Sequence, residues 1–136
     1  MRLFRSIPLL IIPGGIYNLL ALLESQRGTI LEDRGIPIPL PHDVFLPYSI
    51  ADFITTIAIV LLFFEIVKST SVADISIFEH IVSTLVFSVF MAELMLVPEL
   101  AGTPTFVFLT LMSFIDVIAG FTITITAARR DFNINN

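Results

Sequence analysis

The chain has 136 residues and a mass of 15.1 kDa, with 56% hydrophobic residues, 14% charged residues and a mean hydropathy of +0.96. A soluble domain carries about 45–50% apolar and about 25% charged residues, and one this small has too little interior to hide the surplus, so the composition is that of a membrane protein and excludes a soluble enzyme or a disordered tail. Seven Lys+Arg against twelve Asp+Glu exclude a basic nucleic-acid binder, and the lack of cysteine excludes disulfides, thiolate chemistry and Cys-ligated clusters.

A bilayer span takes about 20 mostly apolar residues. Residues 6–23 carry no charge. Their short basic lead-in, Met1–Arg5, has the look of a signal peptide. Against that, Pro8, Pro13, Gly14, Gly15 and Asn18 interrupt the run, and Ala21-Leu22-Leu23 is not a small-x-small cleavage site. A first span is therefore expected here. Residues 24–47 form an outer connection that is Pro-rich in its second half, Gly35-Ile-Pro-Ile-Pro-Leu-Pro41. Proline at alternate positions forbids helix and any central strand, which predicts an extended or polyproline II strap. Ile36, Ile38 and Leu40 would share one face of it. The strap is expected to lie along the bilayer or over the bundle mouth, with docking of a partner protein as the sharper alternative.

A second span is expected over 49–67, opened by the capping box Ser49-Ile-Ala-Asp52. A third follows over 72–97, opened by Ser71-Val-Ala-Asp74 and stopped at Pro98. A fourth covers 104–128, with Thr103 as cap and Pro104 at the first helical position. The short connection Glu99–Gly102 predicts a tight antiparallel hairpin of the last two spans. The expected fold is thus a single all-α domain, 1–136, of four transmembrane helices in an antiparallel bundle. Arg2, Arg5, Lys68, Arg129 and Arg130 fall on one side of it, and Arg27 and Arg34 on the other. The positive-inside rule then makes both termini cytoplasmic, and Tyr17 and Tyr48 read as interfacial aromatics.

Charged residues near span ends have ordinary explanations. Asp52 belongs to a capping box, Glu65 precedes Lys68 by three residues as an i,i+3 pair, and Glu79, His80 and Glu93 lie towards the ends of the third span. Asp116 has no such explanation, because it lies thirteen residues from both Thr103 and Arg129. Each half is about 20 Å long, too far to snorkel. Its carboxyl must be protonated, hydrogen-bonded, paired with a cation or open to a wet cavity.

Asp116, Gly120 and Thr124 recur at every fourth residue, a small-residue stripe that favours close helix packing. Gly14, Asn18 and Ala21 form a similar face on the first span, and Thr84, Ser88 and Ala92 on the third. Counting rise from the cytoplasmic side levels Asn18 and Ser88 with Asp116, so Asp116 is expected to face the bundle and bond one of them. The candidate polar or ion site is Asp116, Asn18, Ser88 and Glu93, and Pro13-Gly14-Gly15 reads as a helix break near midplane.

His42 and His80 fall on opposite sides of the membrane, which excludes a bis-histidine haem, and Glu79-His80 lacks the spacing of a di-metal carboxylate site. Motifs for hydrolysis, phosphate binding and zinc are lacking as well, so no catalytic residue, cofactor or metal is expected. What remains is a non-catalytic accessory or assembly subunit of a larger membrane complex in a bacterial inner membrane. Its partners would be the lipid bilayer and other membrane subunits or further copies of itself. The alternative is a small proton- or cation-coupled channel or transporter using Asp116. A third reading, a lipid or quinone site, requires a lateral cleft between the third and fourth spans.

Overall fold

A computed structural model describes residues 7–27, 31, 35–71 and 77–134. The chain is mostly helical. In order the elements are α1 (Ile11–Arg27), β1 (Ile36–Leu40), β2 (Val44–Tyr48), α2 (Ile50–Ser71), α3 (Ile77–Leu96), the single turn α4 (Pro98–Ala101) and α5 (Pro104–Ile134). Three stretches, Ile50–Thr70, Phe78–Leu96 and Pro104–Thr126, are long and apolar enough to cross a membrane, and Ile11–Glu24 is a shorter apolar helix. These helices mark a membrane protein.

Helix α5 is the centre of the bundle, packing on α2 and α3, while α1 rests on α2, α4 and α5. Its position follows from its side chains. Small and hydroxylated residues, Thr110, Ser113, Asp116 and Gly120, lie among Phe106, Leu109 and Met112 on its buried face. The hydroxyls of Thr110 and Ser113 are satisfied within the helix, donating to the carbonyls of Phe106 (2.9 Å) and Thr110 (2.7 Å). By contrast, α2 is apolar all round, so nothing in its sequence separates a core face from a lipid face.

Helix ends are set by local chemistry. At the start of α2, the Asp52 carboxylate accepts from the Ser49 backbone N–H (2.8 Å) and hydroxyl (2.7 Å), and the Asp52 N–H donates to Ser49 Oγ (3.1 Å), a reciprocal cap. At α5, Thr103 Oγ1 accepts from the Phe106 N–H (3.3 Å) ahead of Pro104. The cap expected at 71–74 lies outside the described residues. Pro13 falls in the first turn of α1, where proline costs no helical hydrogen bond. The expected midplane break at Pro13-Gly14-Gly15 is therefore corrected, and the Gly14 N–H still reaches the Leu10 carbonyl (3.2 Å).

The outer connection also differs from expectation. Instead of an unpaired strap, β1 and β2 form an antiparallel hairpin through a 3-10 turn, Pro41–Asp43, with Ile36 opposite Tyr48, Ile38 opposite Leu46 and Leu40 opposite Val44. Pro37 and Pro39 face Pro47 and Phe45. In an antiparallel ladder, alternate pairs exchange no hydrogen bonds. The prolines occupy those positions, so their missing N–H groups cost the ladder nothing. His42 and Asp43 turn the chain with φ of 67° and 58°, a left-handed conformation that His and Asp adopt more readily than most residues.

Candidate functional site

Two polar stations lie inside the bundle. The inner one joins α2, α3 and α5 to the start of α1. Glu65 and Asp116 are each 5% exposed. Glu65 Oε1 accepts from Lys68 Nζ at 2.7 Å, and its Oε2 takes the Leu9 backbone N–H at 3.3 Å. The side chain that hydrogen-bonds the Asp116 carboxyl is Ser83, and the charges acting on it are Glu65 and Lys68.

Asp116 thus faces the bundle interior, but the partners expected for it are corrected. Asn18 donates to Glu93 Oε2 (2.8 Å), and Ser88 is exposed and donates to the Thr84 carbonyl (2.8 Å). The reason is register at the inner ends. Helix α5 runs on to Ile134 whereas α3 begins at Ile77, so depths counted from those ends do not match. Measured from the outer ends, which α4 ties together, Asp116, Ser83 and Glu65 lie about 18, 20 and 22 Å in, and Ser88 only about 12 Å. That count was available in the sequence and would have selected Ser83.

The outer station is the Asn18–Glu93 pair, at a cavity of about 220 Å³ that Leu22, Val97 and Leu100 complete. Its neighbour in α1, Tyr17, is fully buried. It donates to the Leu100 carbonyl (3.0 Å) and shares a 2.6 Å hydrogen bond with Thr103 Oγ1, which fastens α1 to the α3–α5 turn. The interfacial role expected for Tyr17 is corrected accordingly. Tyr48 is half-buried, bonded to Thr56 and packed edge-on against Phe53.

The small-residue stripes divide. Gly14, Ala21 and Gly120 are buried, and Thr124 is half-buried. Gly14 admits the ring of Phe90, whose Cζ lies 2.1 Å from where a Cβ would stand. Thr84 and Ala92 are exposed together with Ser88, so that stripe is not buried against the described helices of this chain. The face that α3 turns inward carries Val86 and Phe90 instead. His80, expected at the surface, accounts for the other half of the Gly120 stripe. Its Nε2 lies 2.7 Å from Thr124 Oγ1, its ring stacks on Phe121 at 4.9 Å, and a Cβ on Gly120 would stand 3.0 Å from its Cε1 and Nδ1. On the hairpin, Ile36 and Leu40 are exposed and Ile38 is half-buried, on the face shared with Val44, Leu46 and Tyr48.

Comparison of the chain with protein-family models, with curated proteins and with solved structures finds no match.

Proposed function

We propose that the chain is a non-catalytic subunit of a larger membrane assembly, in which the β1–β2 hairpin is the attachment point. The observation that carries this reading is the hairpin itself. Ile36, Leu40, Val44, Phe45 and Leu46 are all exposed and come from both of its faces, and its polar side chains are His42 and Asp43 at the turn and Tyr48 at its end. An apolar hairpin outside the hydrocarbon is an aggregation hazard unless something covers it. The accompanying topology has four spans, α1 crossing with the help of residues 7–10, and both termini on the cytoplasmic side of a bacterial inner membrane. Five Lys/Arg against two support it.

The chain contains no cysteine, so Phe45→Cys places a single thiol on the hairpin. Crosslinking from it in native membranes is expected to give one discrete adduct with a different protein, and Phe45→Ser with Leu46→Ser to lose that protein on purification. An adduct with lipid alone, or with a second copy alone, counts against the proposal.

A second reading rests on the inner station. Lys68 pairs with Glu65, and the buried Asp116 has no ion pair among the described residues, which leaves one negative charge for a proton or a small cation to balance. On that reading the chain is a small proton- or cation-coupled transporter, and Asp116→Asn abolishes flux in liposomes while insertion is normal. The subunit reading expects Asp116→Asn to assemble and function nearly as the unmodified chain does.

A further inference from the structure

Between the inner halves of α3 and α5 runs a groove of about 510 Å³ that opens sideways, towards whatever surrounds the bundle. Its walls are Ile81 and Leu85 on one helix and Phe121 and Ile125 on the other, all exposed. Its floor is polar in composition but not in spare hydrogen bonds. Thr84 donates to the His80 carbonyl (2.7 Å), Ser88 to the Thr84 carbonyl (2.8 Å) and Thr124 to the Gly120 carbonyl (3.0 Å). The Thr124 hydroxyl also lies 2.7 Å from His80 Nε2, so its one proton is engaged by either the imidazole or the Gly120 carbonyl. The floor hydroxyls of Thr84, Ser88 and Thr124 are therefore all engaged, leaving none of them free to hold a quinone carbonyl and each able to lie against hydrocarbon. From His80 to Ser88 it is about 12 Å long, parallel to the helix axis and hence to a lipid chain.

Among the described side chains, charge sits at one end of the groove. Arg129 follows Ile125 by four residues, on the same side of α5 and one turn beyond the groove. It is exposed and has no ion pair among the described residues. Of the acids whose side chains are described, those nearest the groove face elsewhere. Glu79 is set about 100° round α3 from His80, away from the groove, and Asp116 about 140° round α5 from Phe121. An apolar slot along the membrane normal, with an exposed guanidinium at its headgroup end that pairs with no described residue, matches one ligand class. We propose that this groove binds a single anionic phospholipid, one acyl chain lying between Phe121, Ile125, Ile81 and Leu85 and its phosphate on Arg129. This site is independent of the hairpin and of the subunit proposal.

The full-length protein, stripped of lipid in detergent, can be titrated with dioleoylphosphatidylglycerol or dioleoylphosphatidylcholine and followed by native mass spectrometry. One lipid per chain is expected, with the anionic lipid bound about fivefold more tightly for its single arginine contact. Arg129→Gln is expected to bring the anionic lipid to the affinity of the zwitterionic one, and Thr84→Leu, which fills an exposed part of the slot, to weaken both. Equal affinities in the unmodified chain, a preference that survives Arg129→Gln, or binding indifferent to Thr84→Leu would each overturn the proposal.

Discussion

At Gly14, α1 meets the ring of Phe90 on α3. A methyl group there would overlap the Phe90 ring, which is itself held against Phe106 at 5.5 Å, so the ring cannot swing clear without disturbing the core. Gly14→Ala is expected to lower stability by about 1–3 kcal/mol, as overpacking does, and Phe90→Leu in the same chain to recover part of it; thermal unfolding in detergent measures both. Lys68 presents the opposite situation, a residue whose removal leaves charge behind. Lys68→Met strands Glu65 and Asp116 together and is expected to cost about 3–5 kcal/mol. Adding Asp116→Asn removes one of the stranded charges and is expected to restore a large share, read as denaturant midpoints of the single and double variants. Asp116 was conspicuous in the sequence because no helix end lies near it. Ser83 was not, because a serine in an apolar helix carries no mark of its own until its depth is counted from an end shared with its partner.

Among elements, the hairpin separates what sequence patterning shows from what it does not. Alternate prolines required extended backbone, and Ile36, Ile38 and Leu40 do share a face. Pairing was hidden because the turn, His42-Asp43, reaches positive φ without glycine, and because Val44–Tyr48 is too short and uniformly apolar to show alternation. The register makes a sharp prediction. Phe45 stands opposite Pro39 at a pair that exchanges no hydrogen bonds, whereas Leu46 opposite Ile38 belongs to one that does. Phe45→Pro is expected to preserve slow hydrogen exchange at the Ile38 amide and Leu46→Pro to abolish it. The helices were legible for a different reason. Their lengths and caps follow from composition and local chemistry, as at Ser49–Asp52, whereas the face each one buries depends on its neighbours. That is why the exposed Thr84-Ser88-Ala92 stripe looked like a packing surface.

At the level of the whole molecule, α5 buries much of itself while α2 and α3 turn most of their surface outward: 39% of the α5 span window is buried, against 17% and 11%. A chain this thin leaves its outer helices to lipid or to partners, and the exposed apolar hairpin is the surface on which the subunit proposal rests. Topology is a separate matter that tags at the two ends resolve. Both are expected on the cytoplasmic face if α1 crosses, and on opposite faces if only the three longer helices do. That the chain is built for the membrane could be read from its composition. What it attaches to could not, since an attachment surface is defined by a partner absent from the sequence. The most direct test of the subunit proposal is therefore gentle extraction from the native membrane followed by native mass determination. The account predicts an assembly of fixed stoichiometry in which this chain is joined to at least one different protein. A monomer, or an oligomer of this chain alone, would contradict it.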